Sequence, residues 1–169
     1  RADVLTEFEY LMAEETRPGH GPEHAALNGL QRRTATYSLD GSARQHAPYR
    51  LEECTHELTI VGTALDGRKK VFFAVTAYRT EDRERTADLR VEEKTYQYDA
   101  FGNVTIERLR GVGTKDGAAM PGRERVTEIE YAASPDRFIV DRPSRVVVRD
   151  ETGGIISETA TMLKEIQKN

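Results

Sequence analysis

The sequence has no tryptophan, a single cysteine, and no run of apolar residues long enough to cross a bilayer as a helix. The lone Cys54 excludes an internal disulfide and a cysteine-cluster zinc site. No histidine or asparagine is tied to it by a recognisable motif, so its expected role is packing within a strand. Apolar residues make up only 37% of the chain, against the roughly 45–50% usual for globular proteins, a range that also counts glycine. Charged residues supply 32%. Such a chain should fold thin, with much solvated face, or be a piece of something larger. A net charge of −4, with acids and bases interspersed, offers no field for a nucleic-acid partner. Nothing at the start reads as a signal peptide. The chain opens on Arg1 rather than Met and stops without a closing motif, the expectation for an excised segment of a longer protein.

Reactive constellations are equally scarce. Gly111–Gly117 lacks the G-x-x-x-x-G-K-[ST] order of a phosphate loop, and G-x-S-x-G is absent. His20 and His24 stand four apart, but glycine and proline between them forbid the helix that would align them on a metal. His46 and His56 have no ligand-like spacing. Glu52-Glu53, Glu92-Glu93 and Glu128/Glu130 lie on expected strands, and only the last pair points to one side. Between Arg79 and Arg90 acids match the bases. The expectation is a non-enzyme without metal or cofactor, and without nucleic-acid or membrane contact in this stretch.

What is present is β patterning, clearest at Lys94–Arg110, KTYQYDAFGNVTIERLR. Tyr96 and Tyr98 share one face of a first arm, and Val104 and Ile106 share one face of a second. Between them Gly102 suits a left-handed turn position and Asn103 tolerates one. Asp99 can accept a hydrogen bond from the backbone two residues on. A second turn is expected at Asp40-Gly41.

The rest follows the same rhythm. Asp3–Glu15 fits a helix through Val4, Phe8, Leu11 and Met12 or a strand through Val4, Thr6, Phe8, Tyr10 and Met12, and leans to strand through Phe8 and Tyr10. Residues 17–22 carry four Pro or Gly and read as a loop, followed by a short helix near residues 23–30 opened by Pro22. Gln31–Leu39 alternates as a half-buried strand. Tyr49–Ala64 and Lys69–Arg79 form a hairpin about Asp66-Gly67. The second of these is apolar on both sides and should be the most buried strand. Thr80–Arg85 reads as a solvated charged loop or strand end, and Gly111–Gly122 as a flexible connection. Arg125–Ala132, a short strand within Asp136–Asp141 ended by Pro143, then Arg145–Asp150 and Ile155–Leu163 about Glu151–Gly154 complete the pattern. Thr161–Lys168 is open between helix and disorder. The fold class is mainly β: one β-rich domain over 1–169, an antiparallel sheet of successive hairpins with one short helix.

Tyr-Gln-Tyr-Asp-Ala-Phe-Gly-Asn resembles a YD (Rhs) repeat, whose signature is a tyrosine-aspartate pair closely followed by glycine. Other blocks fit the same picture: Ala26-Leu27-Asn28-Gly29, then Gln31–Thr34, Tyr37–Ser42 and Pro48-Tyr49. Further on come Val71-Phe72-Phe73, Asp99–Val104, Asp136–Pro143 and Val146–Asp150. In order and spacing over residues 25–150 they resemble a segment of the B component of bacterial insecticidal toxin complexes (Tc toxins). That resemblance implies a secreted virulence protein and a structural role in a hollow shell of coiled β-sheet around a toxic payload. Its implied partners are the remainder of the parent chain, the other toxin-complex subunits and the payload. It carries over no catalytic residue. The alternative is a β-rich carbohydrate- or ligand-binding module, for which Tyr96, Tyr98, Phe101 and Tyr131 are the candidate stacking aromatics.

Overall fold

A computed structural model describes residues 3–12, 26–83, 88–116, 118–132 and 140–161. The loop expected at 17–22, the start of the helix at 23–25, His20, His24, most of Asp136–Asp141 and residues 162–168 lie outside them. The described residues form nine strands: β1 Asp3–Tyr10, β2 Gln31–Leu39, β3 Arg50–Thr63, β4 Lys69–Asp82, β5 Arg90–Tyr98, β6 Val104–Lys115, β7 Ala118–Tyr131, β8 Pro143–Asp150 and β9 Ile155–Ala160. They make one sheet in chain order, β1 through β9, and every neighbouring pair is antiparallel. Of the expected helix, the described part is a tight 3₁₀ turn at Ala26-Leu27. Pro143, which lacks an N–H to give the ladder, occupies the first position of β8.

A sheet of alternating polar and apolar residues buries little unless a second layer covers it. The fully buried apolar residues here are Ala35, Val91 and Val147, at 1%, 3% and 1% exposure. They sit on β2, β5 and β8. β4 is therefore not the most buried strand: Phe73 is 45% exposed, and the buried residue of β4 is Glu81, at 7%. Apolar side chains on both faces of a strand are only half covered, by neighbours within the sheet, when neither face meets another layer.

Register organises the charges. Glu9 lies opposite Arg33, Arg33 opposite Glu53, Glu53 opposite Arg79, Arg79 opposite Glu93, Glu93 opposite Arg110, and Arg110 opposite Glu124. One row of alternating sign thus runs across β1 to β7. Opposite charges at directly paired positions each favour the observed register by roughly 0.2–1 kcal/mol. The Glu9–Arg33 pair closes at 2.6 Å and Arg79–Glu93 at 2.5 Å. At the other end Arg145 bridges Glu130 on β7 and Glu158 on β9, each at 2.8 Å.

One sequence expectation is corrected here and a second is narrowed. Residues 111–115 and 118–122 are not a flexible connection but the ends of β6 and β7, paired Gly113 with Met120 and Lys115 with Ala118. Two of the glycines, Gly113 and Gly122, mark close approach instead of freedom. A Cβ on Gly113 would stand 2.8 Å from the Leu89 carbonyl oxygen, and one on Gly122 3.2 Å from that of Gly111. Thr80–Arg85, where it is described, is the strand end of the two alternatives, but it is not solvated at Glu81, which is 7% exposed. Thr80–Asp82 belongs to β4, and Arg79 and Arg83 clamp the Glu81 carboxylate between them.

Candidate functional site

Three of the hairpins close on the same five-residue turn, at Ala64–Arg68, Asp99–Asn103 and Asp150–Gly154. In each, the first residue's N–H donates to the fifth residue's carbonyl, at 2.8, 2.9 and 2.9 Å. The fourth residue, a glycine, donates its N–H to the first residue's carbonyl, at 3.0, 3.1 and 3.0 Å. That glycine has φ +82°, +89° and +85°, where any other L-residue is strained. Aspartate at the first position adds a side-chain clamp. Asp99 Oδ1 accepts from the N–H groups of Phe101 at 2.8 Å and Asn103 at 2.9 Å. Asp150 Oδ1 accepts from those of Thr152 and Gly154 at 2.9 and 2.8 Å. Asp-x-x-Gly is the sequence signal for the two clamped turns, while Ala64–Arg68 shares only the glycine at the fourth position. Asp40-Gly41 is a smaller version, with Gly41 at φ +74° and the Ser42 N–H on Asp40 Oδ1 at 3.1 Å.

The Asp99 turn is the one tied into the body of the sheet. Asn103 Nδ2 donates to Asp99 Oδ2 at 2.9 Å and to the Val140 carbonyl at 2.6 Å. The Phe72 ring lies against Gly102, so close that a Cβ there would meet Cε2 at 2.8 Å. Burial works to raise the Asp99 pKa, but hydrogen bonds from Asn103 and the turn's backbone outweigh it and hold the carboxyl below its usual range.

The four candidate aromatics do not form one platform. Tyr98 meets Phe72 edge to face, ring centres 5.9 Å apart, and its hydroxyl donates to the Val75 carbonyl at 2.7 Å. Tyr96 and Tyr98 line an open concavity of about 440 Å³ with Glu57, Thr59, Phe72 and Ala74. Tyr131, on β7, donates its hydroxyl to the Val104 carbonyl at 2.9 Å. Phe101 stands at the tip of the turn, 53% exposed. Burial raises the pKa of Tyr96, Tyr98 and Tyr131, keeping them protonated donors.

The charged centre of the sheet lies elsewhere, at Glu81. Its Oε1 accepts from Arg79 Nη2 at 2.6 Å, and its Oε2 from Arg83 Nη2 at 2.8 Å. Burial pushes this carboxyl's pKa up, and the two guanidinium groups pull it further down, so it stays ionised. The spacing Arg79, Glu81, Arg83 puts all three on one side of an extended chain, the signal for this clamp. Burial is also the main cause of the shifts at the thiol and at a histidine of β3. The Cys54 thiol is pushed up, and the His56 imidazole down. His56 Nδ1 is buried without a hydrogen-bond partner. Among the described residues no three His, Cys, Asp or Glu side chains converge as metal ligands would.

No protein-family model matches the chain, and no curated protein does. Solved structures do. A crystal structure of TcdB2-TccC3 shares the fold with a TM-score of 0.65 at 15% identity, over 80% of this chain and 7% of that one. The complex TcdB2-TccC3-Cdc42 gives 0.64 at 13%, and TcdB2-TccC3 without its hypervariable C-terminal region 0.64 at 16%, with the same shares. This chain spans about 7% of the length of those neighbours. The nine-stranded meander is the fold of one segment of a Tc toxin chain, TcdB2-TccC3.

Proposed function

We propose that this chain is a non-catalytic wall segment of a secreted bacterial toxin-complex or Rhs/YD-repeat protein, part of a β-sheet shell that encloses or supports a toxic payload. The observation that carries the reading is the open single-layer sheet, with few buried apolar side chains and a fold shared with a small segment of a much longer toxin chain. A wall needs lateral continuity more than a core of its own. β1 and β9 are the outer strands among those described, and their residues are exposed throughout. Charge rows and clamped Asp-x-x-Gly turns supply local rigidity where a second layer is lacking.

The perturbed groups support a non-catalytic role. Cys54 is held as a thiol, a poor nucleophile, and Glu81 is neutralised by two arginines. No described helix is long and apolar enough to cross a membrane. The partners under this reading are the rest of the parent chain, the other complex subunits and the payload.

The test is electron cryomicroscopy of the longer protein that contains this sequence. The expected result is a hollow particle with β1–β9 in its wall. A separate, closed domain outside any shell would overturn the reading.

A further inference from the structure

β1 is an unusual outer strand. All eight of its residues are exposed, and Val4, Leu5, Phe8 and Tyr10 are 58%, 42%, 52% and 48% exposed. Met12, just beyond, is 61% exposed. An outer strand turns alternate N–H and C=O groups away from the sheet, and natural sheets normally blunt such an edge with charged side chains, lysine above all, with proline, with a bulge or with a covering segment. β1 contains no lysine or proline.

Its charge is of one sign. Asp3, Glu7 and Glu9 alternate with apolar residues and share one face. Glu9 Oε1 takes Arg33 Nη1 at 2.6 Å, and Glu7 Oε2 takes the Tyr37 hydroxyl at 3.0 Å. Among the described residues, no hydrogen bond engages the other oxygen of either carboxylate. The row that starts at Glu9 alternates acid and base at every strand as far as Glu124. Continued outward by one strand, the same alternation demands a base.

The chain's own outer strands do not meet that demand. β1 against β1 of a second copy sets acids against acids. β9, Ile-Ile-Ser-Glu-Thr-Ala, offers only Glu158 as a charge, and Arg145 already holds it at 2.8 Å. Like charges set directly opposite are destabilising.

We infer that the β1 edge is a strand-acceptor site for an extended segment in which arginine or lysine alternates with apolar residues, a base standing opposite Glu9 and another opposite Glu7. The inference rests on the wall-segment reading for the source of that strand, which is another part of the parent assembly. Main-chain hydrogen bonds supply affinity, and the two carboxylates supply register.

The test uses the 169-residue chain and fluorescent peptides as long as β1, read by anisotropy. The probes are an alternating arginine-valine peptide, its glutamate-valine counterpart, and the arginine peptide N-methylated at alternate amides. The expected result is binding by the first alone, weakened about fivefold when Glu7→Gln and Glu9→Gln are combined. Circular dichroism verifies that the double variant keeps its sheet, and Glu7→Gln alone serves if it does not. Equal binding of the N-methylated peptide would mean adhesion by charge without strand addition and would overturn the inference. So would equal binding of the glutamate peptide, no binding at all to a folded chain, or a concentration-dependent dimer abolished by Phe8→Lys. A parent particle with this segment in its wall but an acidic strand against β1 would also overturn it, while leaving the wall reading standing.

Discussion

Glu81→Gln is the substitution that most directly tests how a sheet without a second layer is held together. Glu81 is 7% exposed and accepts four hydrogen bonds, from Arg79 Nε and Nη2 and from Arg83 Nε and Nη2, at 3.1, 2.6, 3.3 and 2.8 Å. A hydrogen bond to a charged group contributes about 1.5–3 kcal/mol, but the arginine side chains are 40% and 54% exposed and regain water when the carboxylate is lost. Arg79 also keeps Glu93 at 2.5 Å. The net loss should therefore fall at about 1–3 kcal/mol, between a surface pair and a buried one. Glu53→Gln is the control. Glu53 also faces Arg79, across the β3–β4 pair, but its side chain is 46% exposed and 3.9 Å from Arg33, so its loss should stay below about 0.5 kcal/mol. Urea unfolding followed by far-ultraviolet circular dichroism measures both. Acid provides a second axis. Because the folded-state pKa of Glu81 is depressed below the usual 4.5, its contribution is complete above that pH and fades as the pH falls below it toward the folded value. Wild type should lose its advantage over Glu81→Gln in that window and not at neutral pH. Equal destabilisation by the two variants, or a gap that does not change in acid, would refute the reasoning.

Gly102→Ala should cost about 2–4 kcal/mol, since a left-handed alanine is strained and its Cβ meets Phe72 at 2.8 Å. Gly153→Ala, at the same turn position with nothing within 4 Å, should cost only about 1–2 kcal/mol by the same urea assay. His56, held neutral by burial, has a folded pKa below the usual 6.5, so the unfolded chain binds more protons and stability falls as the pH drops through that value. His56→Leu should flatten that decline between mildly acidic and neutral pH, read from urea midpoints. Phe101→Ala should shift stability by less than about 0.5 kcal/mol, because the ring stands free at the turn tip. A glycan array should find no binder for it to lose, and a sugar whose binding vanished with Phe101 would restore the ligand-binding alternative.

Most strands were legible in the sequence because alternation is local. Gln31–Leu39 came out to the residue, and Tyr49–Ala64 and Lys69–Arg79 differ from β3 and β4 only at their ends. The hairpin at Asp99–Asn103 was legible for the same reason: its turn chemistry lies within five residues. Residues 111–122 were misread because glycine has two meanings. It frees a backbone, or it lets one backbone approach another, and only the Leu89 carbonyl beside Gly113 tells which. The charge row was invisible because its members are far apart in sequence and meet through register alone. Glu81 looked solvated because composition counts a charge without its partners, although the Arg79, Glu81, Arg83 spacing was there to be read.

The seven-strand row has a consequence for how this chain can change over time. Reversing the sign at one interior rung, such as Arg79, sets it against both Glu53 and Glu93, so a single substitution spoils two contacts. A matching reversal on one side moves the mismatch one strand outward, and only inversion of the whole line removes it. Drift at these positions should therefore run toward uncharged residues, and the charged residues that persist should keep the polarity of their neighbours across distant parts of the sequence.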